Sequence, residues 1–124
     1  MPNHFHLVLW PLEEGDLSRW MHWPLHTHVR RYHRHHGSSG HLWQGRFKAF
    51  PIEHDEHLLT VLRYAECNAL RAGLVQRAEQ WEWSSLAYRE ATGDRPIYWH
   101  EGPVPRPQPW IDWVNEPATE AELK

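Results

Sequence analysis

The sequence predicts an α/β (α+β) fold in which helices pack on strands. Residues 4–10 and 41–52 contain the runs of apolar and aromatic residues that are typical of short strands. Residues 17–32 and 58–69 place apolar side chains three and four positions apart, which is typical of amphipathic helices. With 124 residues, 40% of them hydrophobic, the chain is long enough for one compact domain with a real core.

The first predicted strand covers residues 4–10 and ends at Pro11, which cannot donate a backbone hydrogen bond to a sheet. Successive side chains of a strand point to opposite faces, so alternate residues share a surface. The side chains predicted to face the core are Phe5, Leu7 and Leu9. Those predicted on the opposite face are His4, His6 and Val8.

The first predicted helix begins at Asp16, whose carboxylate is a good N-cap, and ends at the flexible turn 37–40. Pro24 lies inside it and lacks a backbone donor, so a kink or break is expected near Trp23. Its predicted buried stripe consists of Leu17, Met21, Leu25, His28, Val29 and Tyr32.

A loop and then a strand are predicted over residues 41–52, followed by a helix capped by Asp55 that runs to about Ala72, with Gly73 after it. The apolar face of this helix consists of Leu58, Leu62, Ala65 and Ala69. A different face carries Tyr64, Asn68 and Arg71. Residues four apart lie one above the other on a helix, so Tyr64 and Asn68 share a surface.

Residues 81–91 are predicted to form a last short helix. We therefore divide the chain into a domain at residues 1–92 and a tail at 93–124 that is rich in proline and acid. The tail carries four apolar residues that are predicted to dock on the body, Trp110, Ile111, Trp113 and Val114. Residues beyond Glu116 are predicted to be disordered.

The cysteine content and the hydropathy restrict the setting. Cys67 is the single cysteine, which excludes an internal disulfide framework and fits a reducing compartment. No apolar run approaches the length of a membrane span, and no secretory signal is recognisable. These features predict a cytoplasmic protein without a membrane partner.

The charges are segregated, so the formal net charge of -3 is misleading. Residues 17–52 contain no acid but seven of the 12 histidines, with Arg19, Arg30, Arg31, Arg34, Arg46 and Lys48. Such a basic stretch indicates a polyanion site or, equally well, an ordinary solvated helix face. Trp43 lies among basic residues, a pattern that can stack bases and hold phosphates of a single strand, although core packing is the alternative.

A constellation for phosphoryl transfer follows from these placements. His4 and His6 can hold a divalent metal ion, with Asn68 as a neutral oxygen ligand. Tyr64 lies off the apolar stripe and can act as a nucleophile, although a free phenol with a pKa of ~10 needs a nearby cation or metal to react at neutral pH. The alternatives are ordinary surface histidines and a core tyrosine. With these alternatives open, the four residues predict a site that cuts nucleic acid.

Four ordered motifs resemble those of the single-tyrosine HUH transposases, and in particular the REP-associated tyrosine transposases. They are MPNHFHL at 1–7, GHLWQGRFK at 40–48, LRYAECNALRAGLV at 62–75 and WSSL at 83–86. The resemblance implies a ferredoxin-like antiparallel sheet with helices packed on it, the histidine pair on a central strand and the tyrosine on a helix against that strand.

The resemblance also implies the residue roles. His4, His6 and Asn68 would bind Mg²⁺ or Mn²⁺, and Tyr64 would attack single-stranded, hairpin-flanked DNA to form a 5′-phosphotyrosine link. With the basic and aromatic pattern, it gives a predicted DNA-contacting set of Arg30, Arg31, Arg34, Trp43, Arg46, Lys48, Arg63 and Arg71. The protein would act as a monomer or a homodimer.

The chain departs from the family pattern in three places. The family has a strand and a helix before the histidine motif, so we expect an N-terminally truncated domain of impaired stability or activity. Ala69 replaces the usual proline after Asn68, and Pro24 interrupts the helix that should carry the basic face. The competing functions are a non-catalytic nucleic-acid-binding remnant and a histidine-rich metal-binding module.

Overall fold

The computed structural model describes residues 1–90, 99–117 and 119. The chain divides into two compact units. One unit contains Met1–Val8 and Ile52–Lys124, and the other contains Leu9–Pro51.

The predicted α/β fold with a ferredoxin-like antiparallel sheet is wrong, because the described part of the chain is helical and contains no strand. The helices are α1 (Asp16–His36), α2 (Glu56–Glu66), α3 (Asn68–Arg71), α4 (Ser85–Glu90) and α5 (Trp110–Asn115), with a short 3₁₀ helix at Ala78–Gln80. None of the described helices combines the length and the apolar character needed to cross a bilayer.

Both predicted strands fail for the same physical reason. A strand needs a neighbour to take its backbone N–H and C=O groups. Within the ranges that the structure covers, residues 4–10 and 41–52 have no such neighbour. The side chains predicted to face a core from the first segment are exposed instead, namely Phe5, Leu7 and Leu9.

In the unit Leu9–Pro51, the N-cap of α1 lies one residue earlier than predicted. The N-cap is Gly15, at φ 85°, and Asp16 is the first helical residue. The Asp16 carboxylate still accepts a hydrogen bond from the backbone N–H of Glu13 (3.0 Å). The helix continues through Pro24, so the predicted break is absent, and it ends at Gly37 as predicted. Of the predicted stripe, Met21 is fully buried, which leaves this unit with a small apolar interior.

In the other unit, the sequence identified the start of α2 correctly. The Asp55 side chain accepts the backbone N–H of His57 at 2.8 Å, a side-chain cap of the expected kind. The predicted single helix is interrupted at Cys67, which has φ −87° and ψ 0° and separates α2 from α3. Gly73 follows α3 at φ 69°, and its N–H donates to Leu70 O. The position predicted for Gly73 is therefore confirmed.

The core of this unit is built from α2, α3, α4, α5 and the 3₁₀ helix. Its buried members are Cys67, Ala78, Leu86, Trp110 and Val114. The predicted docking of the tail is confirmed for Trp110 and Val114, which belong to α5 and are almost completely buried. Asn115 fixes the end of α5, because its Oδ1 accepts the N–H of Ala78 (2.9 Å) and its Nδ2 donates to Glu79 (2.9 Å).

The last predicted helix begins later than expected, at Ser85 instead of residue 81. Trp83 lies in the preceding turn and is exposed. The predicted end at Ala91 and most of the predicted disorder beyond Glu116 lie outside the described residues.

Two charged side chains of α2 are buried in this unit. Both oxygens of Glu66 accept hydrogen bonds, one from Ser85 Oγ (2.7 Å) and one from Trp110 Nε1 (2.6 Å). Arg63, only 6% exposed, donates from Nε to Trp113 O (2.8 Å) and from Nη2 to Glu116 O (2.9 Å). These bonds join α2 to α4 and α5 across the core.

Candidate functional site

The N-terminal segment places two imidazoles side by side. The ring centroids of His4 and His6 lie 5.3 Å apart with an interplanar angle of 86°. His4 Nδ1 lies 2.8 Å from Asn3 Oδ1. Because an amide oxygen only accepts hydrogen bonds, this contact makes Nδ1 the protonated nitrogen of neutral His4 and leaves Nε2 with the lone pair. His4 can therefore offer one defined nitrogen to an electrophile.

Tyr64 of α2 lies against His6. Their ring centroids are 5.5 Å apart at an interplanar angle of 79°. The buried side of α2 is occupied by Leu58 and its neighbours, which turns Tyr64 outward, where it is 44% exposed. The guanidinium carbon of Arg71 lies 5.0 Å from the centre of the Tyr64 ring. The structure thus brings two imidazoles, one phenol and one guanidinium to the same surface.

Electrostatics keep His6 neutral over a wider pH range than a free imidazole. Partial burial lowers the pKa of His6, and the positive charges of protonated His4 and the N-terminal ammonium lower it further. A neutral imidazole has a free lone pair, which is the form that binds a metal ion.

The separation of the two histidine rings fits a shared divalent cation. Two imidazoles whose nitrogens each lie about 2.1 Å from one ion have ring centres about 5 Å apart, close to the separation of His4 and His6. Asn68 is half-buried, and its buried Nδ2 has no hydrogen-bond partner within the described chain. Asn68 is the first residue of α3, and its carboxamide oxygen is the third predicted ligand. The described part of the chain contains no group of three His, Cys, Asp or Glu side chains that could hold a metal ion, so an amide and external oxygens would complete the coordination.

The unit Leu9–Pro51 carries most of the predicted DNA-contacting residues. Arg30, Arg31 and Arg34 are exposed on α1, and Arg46 and Lys48 are exposed in the segment after it. Trp43 is half-buried and packs its ring 5.1 Å from the ring of His28. The charges predicted to contact DNA therefore remain accessible.

A cavity of about 590 Å³ adjoins Trp43 in this unit. Arg46 and Phe47 line it from one segment, and His22 and His26 line it from α1 with their rings stacked 5.2 Å apart. The sequence predicted that His26 is solvated or faces a phosphate, with loose metal binding as the alternative, and it assigned no role to His22. Their spacing of four residues on a helix was the signal that predicts a shared face.

Arg63 is placed differently from the rest of the predicted DNA-contacting set. Its guanidinium lies in the interior, bonded to Trp113 O and Glu116 O and stacked 5.0 Å from the centre of the Trp113 ring. The guanidinium nitrogens of Arg63 therefore point away from solvent. The exposed guanidinium beside Tyr64 belongs to Arg71 instead.

Comparisons with known proteins found no match for this chain among protein-family models, curated proteins or solved structures.

Proposed function

We propose that this protein nicks and rejoins single-stranded DNA with Tyr64 as its nucleophile, in the manner of the HUH transposases that its motifs resemble. The observation that carries the proposal is the packing of the Tyr64 ring 5.5 Å from His6, with His4 beside it. The order of the four motifs supports the same function. A ferredoxin-like sheet is no part of the proposal.

The proposed reaction exchanges one phosphate ester for another. The Tyr64 oxygen attacks the phosphorus of a DNA phosphodiester, the bond from phosphorus to the 3′ oxygen breaks, and a 5′-phosphotyrosine forms. The phenol proton passes to solvent, and the departing 3′ oxygen takes up a proton from solvent. Attack by a 3′-hydroxyl on the phosphotyrosine reverses the step and joins a strand.

His4, His6 and Asn68 are the residues that would hold Mg²⁺ or Mn²⁺ here. When bound, such an ion stabilises the charge that builds on the phosphate. The neutral imidazole of His6 provides a lone pair, and the guanidinium of Arg71 adds a positive charge that attracts the DNA backbone to the Tyr64 hydroxyl.

The unit Leu9–Pro51 would bind single-stranded DNA. Its exposed arginines on α1 would contact phosphates, and Trp43 with its neighbouring cavity would stack a base. Hairpin-flanked DNA is the proposed substrate. Because the single cysteine, Cys67, is a buried thiol and an internal disulfide is impossible, we place the activity in a reducing compartment, the cytoplasm.

Covalent capture tests the proposal. The full chain is incubated with a single-stranded hairpin oligonucleotide and Mn²⁺, and a denaturing gel detects a protein–DNA adduct. We expect an adduct with the wild-type chain, none with Tyr64→Phe, and an unchanged yield with Tyr32→Phe, a matched control that removes another exposed phenol. Circular dichroism checks that each variant is folded. An adduct that persists in Tyr64→Phe, or that never forms with the wild-type chain, would overturn the proposal.

A second candidate function is DNA binding without cleavage. The cavity that combines Trp43, Arg46 and Phe47 favours it, because stacking and phosphate contact need no metal. Salt-dependent binding of the oligonucleotide without any adduct, equal for the wild-type chain and Tyr64→Phe, would select this function over the first.

A further inference from the structure

Two arginines lie close together in the unit that contains Ile52–Lys124, away from the histidine pair in sequence. Arg89 belongs to α4, and Arg106 belongs to the segment that leads into α5. Their side chains are 15% and 6% exposed. Arginine stays protonated in proteins, so two positive charges are held almost entirely out of water.

The hydrogen bonds of these arginines are incomplete. Arg89 Nη1 donates to Glu101 Oε2 (3.1 Å), and Arg106 Nη1 donates to the backbone oxygen of Glu101 (2.5 Å). Arg89 Nε, Arg89 Nη2 and Arg106 Nε are buried and have no partner in the described part of the chain. A buried donor without an acceptor costs about 1–3 kcal/mol, and more when it is charged. Three such donors on two neighbouring side chains indicate a missing acceptor.

A cavity is lined by both arginines. It has a volume of about 430 Å³, and its described lining includes Arg89, Arg106, Glu101 and Gln108. A volume of this size accommodates a phosphate group together with part of the molecule that carries it. Glu101 closes one side, but its side chain is 58% exposed, so water can solvate this carboxylate if it leaves the arginines.

The charges at the cavity favour an additional anion. Burial lowers the pKa of Arg106, and the charge of Arg89 lowers it further, whereas Glu66 and Glu101 oppose that shift. Both oxygens of Glu66 already accept a hydrogen bond, one from Ser85 and one from Trp110. The exposed carboxylate of Glu101 is the acceptor that an incoming anion can replace.

We propose that Arg89 and Arg106 form an oxyanion site that binds a phosphate group, which displaces the Glu101 carboxylate and accepts hydrogen bonds from the free guanidinium nitrogens. Guanidinium groups bind phosphate through paired, parallel hydrogen bonds, a geometry that the adjacent Nε and Nη2 of Arg89 present. Free phosphate and a nucleic-acid phosphodiester offer the same oxygens, and the experiment separates these two sources.

Calorimetric titration of the full chain with inorganic phosphate tests the site. We expect saturable binding that weakens at least tenfold in Arg106→Gln and in Arg89→Gln and tightens severalfold in Glu101→Gln. Arg19→Gln removes an exposed arginine of α1 and is the matched control, with unchanged binding expected. Glu101→Gln keeps the test decisive if an arginine variant fails to fold, because it predicts a gain.

A second titration uses a short single-stranded oligonucleotide, with and without excess inorganic phosphate. If phosphate competes with the oligonucleotide and Arg106→Gln weakens both, the site takes a nucleic-acid phosphate. If only inorganic phosphate responds to the substitution, the site takes a free anion. The proposal is overturned if phosphate binds no tighter to Glu101→Gln than to the wild-type chain, or if no saturable binding occurs, since ordered water then satisfies the arginines. Tyr64→Phe should bind phosphate normally, which separates this outcome from failure of the nuclease proposal.

Discussion

Arg63→Met should destabilise the fold by about 2–4 kcal/mol, because Arg63 connects α2 to the C-terminal end of α5. Methionine replaces the aliphatic stem but removes the donors to Trp113 O (2.8 Å) and Glu116 O (2.9 Å). Each hydrogen bond to a charged group contributes about 1.5–3 kcal/mol, and the stacking of the guanidinium on the Trp113 ring adds roughly 0.5–2 kcal/mol. Relief of the desolvation of a buried charge offsets part of that sum.

The expected loss is a large fraction of the ~5–15 kcal/mol that stabilises a typical domain. It should concern α5 first, since a helix of six residues has little stability outside its packing. Urea unfolding followed by tryptophan fluorescence measures it, because α5 carries Trp110 and Trp113. Arg71→Met, which removes an exposed guanidinium, is the control and should stay within about 0.5 kcal/mol of the wild-type chain.

A free energy of unfolding for Arg63→Met within about 0.5 kcal/mol of the wild-type value would refute this account of Arg63. Arg63→Lys gives a second check, since lysine keeps the charge but cannot bridge two carbonyls from a planar fork. It should lie between the wild-type chain and Arg63→Met. If the free energy of unfolding of Arg63→Lys equals that of the wild-type chain, the positive charge alone accounts for the stabilisation and the planar fork of arginine adds nothing.

Two further predictions concern the buried carboxylate of α2 and the histidine pair. Glu66→Gln should destabilise the fold by about 1–3 kcal/mol, because the amide group of glutamine presents hydrogens to one of the donors Ser85 Oγ and Trp110 Nε1. Urea unfolding measures this loss, and an unchanged free energy of unfolding would argue against a charged acceptor. His4→Gln should raise the pKa of His6 toward that of free imidazole, because it removes a neighbouring positive charge. NMR titration follows this pKa, and His57→Gln is the control. An unchanged pKa of His6 in His4→Gln would exclude the influence of His4. Unfolded His6 takes up a proton near pH ~6.5, whereas folded His6 takes it up only at lower pH. The free energy of unfolding therefore falls as the pH drops below ~6.5, and it falls less steeply in His4→Gln.

Local signals in the sequence located the helix ends well. Asp55 caps α2, and the glycines at 37 and 73 follow α1 and α3 as predicted. Such signals succeed because a cap depends on a few neighbouring residues. The strands failed because residues 4–10 specify which side chains share a face but not which segment supplies the backbone partner.

The candidate site shows the same division between local and distant effects. Tyr64 lies off the Leu58 side of α2, as its spacing predicts, and is accessible. Arg63, the adjacent residue, was predicted to contact DNA, but its guanidinium is buried by α5, some 50 residues further along the chain. Helical periodicity cannot identify a partner that distant. The incomplete hydrogen bonds of Arg89 and Arg106 likewise emerge only from the folded arrangement.

The single-residue interruption at Cys67 has a mechanical consequence. It places Tyr64 and Asn68 on separate helices, α2 and α3, whose junction is held by hydrogen bonds from Cys67 N–H to Arg63 O and from Arg71 N–H to Cys67 O (both 2.9 Å). The buried side chains of Cys67 and Ala69 hold this junction against the core. A bound strand would therefore meet a phenol and a carboxamide whose backbone positions are set in advance by the core, so little ordering of the backbone is needed on binding.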